Sequence, residues 1–238
     1  MSFLSFRACC AALLLAFLSA CVSTQTVSTT NDFDAIRADA VVLLMEPDVQ
    51  LSLLGASGMR EVRADWTQTG KANVLAEIEK YLGADGHQLV EHVLNPENPR
   101  EHQLIKLHEA VGTTLLYHRI FRQPLPSKKD KNDWSLGPGV QTLVGETQAD
   151  YALFLYARGA YATAGRQVLA IGLALAGGGG VGTGDQQAFA SLVDLKTGDI
   201  VWFNVATTGQ GTDMRKPEGS TKLVKAILKG FPLSEGGK

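Results

Sequence analysis

All five histidines of the chain, His87, His92, His102, His108 and His118, fall within one stretch of it. Imidazole is the commonest metal ligand in proteins, so such crowding invites a metal site. "HEAVG" (108–112) begins like the zinc-protease signature, in which two histidines four residues apart on a helix hold the ion. Gly112 stands where the second histidine belongs. His102 and His108 are six apart and do not share a helix face. His108 follows Leu104 by four and precedes Val111 by three, which places it on or beside an apolar stripe. The spacing predicts a packed, hydrogen-bonded core histidine, and no metal or cofactor site is expected.

The other reactive types are also badly spaced for catalysis. "GASG" (55–58) lacks the G-x-S-x-G spacing of a nucleophile elbow. Glu77 and Glu79 are two apart on an expected helix and point different ways. Between Ala162 and Asp185 lies an insert reading "RQVLAIGLALAGGGGVGTGD". A buried helix, Ala164 to Ala176, followed by a glycine loop is its plainest reading, and a buried strand is another. A membrane-inserting hairpin should alternate apolar and polar residues, and "VLAIGLALA" does not. A phosphate cradle needs lysine and a hydroxyl after its last glycine, but Asp185 and Gln186 follow Gly184. No catalytic residue is expected, unless a hydrolase site is assembled from scattered positions.

These residues hang on an alternating series of elements. "VVLLM" (41–45) is a short apolar, β-branched run ended by Glu46-Pro47, an expected buried strand. A helix is expected after Gly70, with Val74, Leu75, Ile78, Tyr81 and Leu82 at helical spacing and Gly83 as its stop. A second strand is expected over 87–94. The longest helix follows, about 98–121, with Leu104, Leu107, Val111, Leu115 and Ile120 as its stripe. "SKKDKND" (127–133) reads as a charged surface loop, and a short helix is expected over 140–144. "ADYALFLYARGAY" reads as a strand buried on both faces. "AFASLVDL", a turn at 196–199 and "IVWFNVA" form an expected hairpin. A last helix, about 220–231, buries Leu223, Val224, Ile227, Leu228 and Phe231, with Ser220 as its cap. The order β-α-β-α-(α)-β-β-β-α implies an α/β (α+β) fold with one three- to five-stranded mixed sheet and packing helices.

The beginning of the chain has a different character. Arg7 is the only charge before an apolar run from Ala8 to Phe17, which small residues close. Residues 1–20 therefore read as a signal peptide, too short in its apolar part to span a bilayer. Leu18-Ser19-Ala20-Cys21 resembles a bacterial lipobox. The resemblance implies that Cys21 becomes residue one of the mature protein and carries two or three acyl chains. Stable anchoring takes about two such chains. Cys9 and Cys10 leave with the signal, so no disulfide, thiolate metal site or thiol catalysis is expected. Val22 and Ser23, where an aspartate would retain the chain at the inner membrane, resemble the outer-membrane pattern. Residues 21–34 are read as the lipidated cysteine and a polar tether, and 35–238 as one globular domain.

Losing Arg7 leaves 21 basic and 24 acidic residues, a formal charge of −3, which argues against a nucleic-acid partner. Two phrases, "ADYALFLYARG" (149–159) and "AFASLVDLKTGDIVWFNVATTG" (188–209), resemble the ends of a group of envelope proteins. The group includes the curli-secretion lipoprotein, the N-terminal domain of TolB and lipoprotein activators of peptidoglycan synthases. The resemblance implies a non-catalytic binding or assembly factor of the envelope, held to the outer membrane through Cys21, facing the periplasm and contacting other envelope proteins. An oligomeric secretion or channel component is the alternative. The residues leave the oligomeric state open. Within these phrases, Leu192, Leu195, Ile200, Trp202 and Val205 read as core, and Asp194, Gly198 and Asp199 as turn chemistry.

Overall fold

The computed structural model describes residues 33, 35–37, 39–83, 88–119, 121–123, 125–128, 133–145, 147–178, 180–208 and 212–232. Residues 1–20, read above as a signal peptide, Cys21, nearly all of the expected tether, His87, Ile120, most of the expected charged loop and Gly209 lie outside them. The elements are β1 (Val41–Met45), β2 (Asp48–Leu54), β3 (Arg60–Val62), α1 (Ala64–Gly83), β4 (Gln88–His92) and α2 (Pro99–Arg119). They continue with β5 (Tyr151–Ala162), α3 (Ala164–Leu175), β6 (Gln186–Asp194), β7 (Ile200–Thr208) and α4 (Pro217–Ile227). Short 3-10 turns cover Pro126–Lys128 and Pro138–Leu143.

The expected mixed sheet is present, but it has seven strands among the described residues. β5 is its spine. Along one edge β5 pairs in parallel with β1, Val42 opposite Tyr151, and then with β2, Asp48 opposite Tyr156 through to Leu54 opposite Ala162. Along the other edge it pairs antiparallel with β6, which pairs with β7. β4 extends the sheet beside β1, and the short β3 beside β2. The two strands that the sequence reading lacks are β2 and β3. Glu46-Pro47 ends β1 at Met45, as expected, but it does not end the run along β5. Proline removes one ladder donor, and the chain resumes along the same edge of β5. The buried residues Val49 and Leu51 keep the two-residue period of a strand.

Helices cover both faces. On one, α1 (Val74, Ile78, Leu82) and α4 (Leu223, Val224, Ile227) pack on Leu44, Leu51, Leu153, Leu155 and Trp202. On the other, α2 (Leu104, Leu115, Leu116) and the 138–143 turn (Val140, Leu143) pack on Leu43, Phe154, Tyr156, Phe189 and Phe203. β5 feeds alternate side chains to both cores, which is why it reads as a continuous apolar run. Each fully buried aliphatic side chain contributes about 2 kcal/mol.

Several boundaries differ from expectation. α1 starts at Ala64, and Gly70 lies inside it, where a Cβ would come 2.7 Å from Leu51 Cδ1. α4 starts at Pro217 after Lys216. Ser220 is therefore not its cap; its buried hydroxyl donates to Met214 O at 3.2 Å. Leu107 does not join the buried stripe of α2 but is partly exposed, and His108 takes the inward place. The hairpin turn is as expected: Asp194 Oδ1 accepts from the backbone N–H of Lys196 and Thr197, at 2.7 and 3.1 Å.

Candidate interaction site

The insert is a helix, but it is not buried. No residue of α3 is buried. Val168, Ile171 and Leu175 are 69%, 61% and 84% exposed, and Leu169 and Leu173 are also exposed. An aliphatic side chain left in water forgoes roughly 1.5–3 kcal/mol of burial. A helix apolar on every side normally stands in a core or in lipid. The rule that apolar helices are buried fails here because the described residues supply nothing to bury α3 against.

The base of this projection is firmly built. Thr163 N–H donates to Leu54 O at 3.0 Å, and Thr163 Oγ1 accepts from Arg166 N–H at 3.2 Å, capping α3. Arg166 Nε donates to Gly182 O at 2.6 Å, and its Nη1 donates to Gly55 O at 3.3 Å and Ala56 O at 3.4 Å. One guanidinium thus ties helix, glycine strap and β2–β3 turn together. Arg60 pairs with Asp185 at 2.6 Å on the same neck. Met59 in that turn is 76% exposed, so two separate segments present apolar side chains at one end of β5.

The residues with catalytic chemistry are engaged elsewhere. His108 is buried, with Nε2 2.8 Å from Ser191 Oγ and its ring stacked on Phe154. Burial pushes its pKa down to about 3. Gly112, four residues on, is where α2 crosses β6: a Cβ there would run into the Phe189 ring. His92 Nε2 lies 3.0 Å from Glu101 Oε2. Burial pushes the Glu101 carboxyl up, but hydrogen bonds from Asn95 N–H (2.9 Å), His92 and Asn98 Nδ2 (2.7 Å) outweigh it and hold it low. Glu101 thus ties the start of α2 to β4. Among the described residues no three His, Cys, Asp or Glu side chains gather where they could hold a metal.

Two polar clusters escaped the sequence reading. Arg158 grips Asp48 with both terminal nitrogens at 3.0 Å, reaches Glu109 at 3.3 Å and lies 4.0 Å over the Tyr156 ring. Arg215 is sandwiched between Trp66 and Tyr161, 4.3 and 3.9 Å from the ring centroids, and is held by Asp213 at 2.8 and 2.9 Å. Burial pushes the Asp213 carboxyl up, but the Arg215 hydrogen bonds prevail and keep it below its ordinary range. Burial raises the Tyr161 phenol, which accepts from Met214 N–H at 2.8 Å. A cleft of about 380 Å³ opens beside them, lined also by Lys216, Glu218 and Lys222. The acid, base and aromatic groups of each cluster satisfy one another. No single sequence signal announces either, because each joins distant segments.

No family model matches the chain, and no curated protein does. Among solved structures it is similar to a PelC dodecamer from Paraburkholderia phytofirmans, at 12% identity over 89% of this chain and 99% of that one, with a TM-score of 0.40. It is also similar to the lipoprotein GNA1162 from Neisseria meningitidis, at 13% identity over 80% of this chain and 94% of that one, with a TM-score of 0.33. Likeness at this level is one of overall outline.

Proposed function

We propose that the chain is a lipid-anchored, periplasm-facing protein of the outer membrane that acts by binding other envelope components and catalyses no reaction. The lipobox at 18–21 supports the anchor, and Val22-Ser23 the membrane. One observation carries the binding role: His108, Glu101, Arg158 and Arg215 are each held in internal pairs, whereas large apolar side chains face solvent, most of them in two groups. One is α3. The other is the end of α2, where Tyr117 and Phe121 are exposed with ring centroids 5.3 Å apart. Arg122 beside them is held at φ 51°, a left-handed conformation that non-glycine residues seldom adopt. Aromatic residues and arginine dominate protein–protein hot spots, so this second group is the protein-facing surface.

A photo-cross-linker at Phe121, in living cells, tests this. One or two discrete protein adducts are expected. A clean blank from both 117 and 121 removes this surface from the account. The second reading is an oligomeric secretion or channel component. It draws on the seam of Ala164, Val168, Ile171 and Leu175, whose spacing suits packing between helices of separate copies. It predicts a ladder of self-adducts from position 171.

A further inference from the structure

We propose that α3, with Met59 beside its base, inserts into the surface of a lipid bilayer as a membrane contact independent of any acyl chain. Between Arg166 and Asp185 the chain has no charged residue. From Val168 to Ala176 no side chain can donate or accept a hydrogen bond, whereas a protein interface carries about one per 100–200 Å². A second helix would cover only the 164–168–171–175 seam and leave Leu169 and Leu173 in water. Acyl chains cover every side.

The dimensions agree. Twelve residues make a helix of about 18 Å, too short to cross the ~30 Å hydrocarbon core but long enough to lie in one leaflet or along its surface. No described helix is long and apolar enough to cross a membrane. The far end of α3 closes on itself, as hydrocarbon demands of backbone groups. Ala176 N–H donates to Gly172 O at 3.1 Å, Gly177 N–H to Ala174 O at 3.3 Å and Gly178 N–H to Leu173 O at 2.8 Å. Arg60 and Arg166 stand at the neck, where headgroups would lie, with Asp185 as the acidic partner of Arg60.

The length of chain between Cys21 and Phe33 allows both contacts to sit in one leaflet. Phe33 packs edge-on to Tyr151, ring centroids 5.7 Å apart, at the end of β5 away from α3. The twelve residues of β5 span about 40 Å. The twelve steps from Cys21 to Phe33 reach at most ~40 Å. An acyl anchor and α3 therefore share one leaflet when β5 lies along the membrane plane, each end tied down. This orientation rests on the Cys21 anchor proposed above; the insertion of α3 does not.

The test uses the mature protein, purified from membranes and reconstituted in vesicles of phosphatidylethanolamine and phosphatidylglycerol. An environment-sensitive fluorophore is placed at Leu175, with a control at Lys225 on α4. The expected result is strong quenching at 175 by lipids brominated high on their chains, and none at 225. Ile171→Asp with Leu175→Asp, in a protein stripped of acyl chains, should weaken vesicle binding about tenfold or more. A water-exposed, unquenched label at 175 on a protein that still floats with the vesicles overturns the proposal and leaves the anchor standing. A dry label that lipid bromines do not quench, with self-adducts from 171, overturns it in favour of a second copy. Mass analysis of the N-terminal peptide reads the anchor separately.

Discussion

His108 Nε2 lies 2.8 Å from Ser191 Oγ, and neither residue reaches solvent. A serine beside a histidine is where a search for hydrolytic chemistry would stop. Here the pair joins the middle of α2 to β6 inside the core, with aromatic rings around it. The two residues are 83 positions apart, so the spacing of Leu104 and Val111 places His108 inward but cannot name its partner.

The pair has a consequence for pH. Folded His108 titrates at about 3, below the ~6.5 of an unfolded histidine, so the unfolded chain binds the extra proton. Its contribution is complete above about pH 6.5 and is lost as pH falls from there towards 3. The slope is about 1.4 kcal/mol per pH unit for one proton. His108→Leu should lose ~1–3 kcal/mol at pH 7 by stranding the serine hydroxyl. Between pH 6 and 4 it should then lose stability less steeply than the wild type. Urea melts at three pH values check this; parallel slopes would contradict it.

Gly112→Ala sets two effects against each other. Alanine favours a helix interior by about 1 kcal/mol over glycine. The added methyl meets the Phe189 ring, and overpacking typically costs 1–3 kcal/mol. The clash wins: a net loss is expected in chemical denaturation, and Phe189→Leu should recover part of it in the double variant.

Arg215→Lys tests the aromatic sandwich. Lysine keeps the charge but loses the planar fork on Asp213 and the stacking between Trp66 and Tyr161. A loss of about 1–2 kcal/mol is expected. A shift in denaturation midpoint no larger than that of an exposed Lys225→Arg control would show that the stack contributes little.

The exposed helix predicts the opposite behaviour. Val168→Gln, Ile171→Gln and Leu175→Gln should each leave stability within about 0.5 kcal/mol, because no core is disturbed. The same change at Leu155 should cost several kcal/mol. Thermal melts in detergent-free buffer separate the two cases.

Much of this architecture was legible. Continuous burial showed in 151–162, the turn residues announced the β6–β7 hairpin, and helical spacing marked α2 and α4. What escaped has physical causes. Pro47 breaks one ladder bond without ending the run along β5, so β2 was hidden behind it. Gly70 is a close-packing residue inside α1, though in isolation it reads as a helix boundary. Apolar composition marks α3 as a helix that avoids water but cannot say whether its own core or something else shelters it. The Arg158 and Arg215 clusters join distant strands and loops, so no local spacing encodes them.

The central claim is that Cys21 is the acylated first residue of an outer-membrane protein. Mass spectrometry of the N-terminal peptide, from the full chain recovered in the separated outer membrane, tests it most directly. The account predicts a chain that starts at Cys21 with a diacylglyceryl group on its sulfur. A chain that retains residues 1–20, or that carries a bare Cys21 thiol, would contradict it.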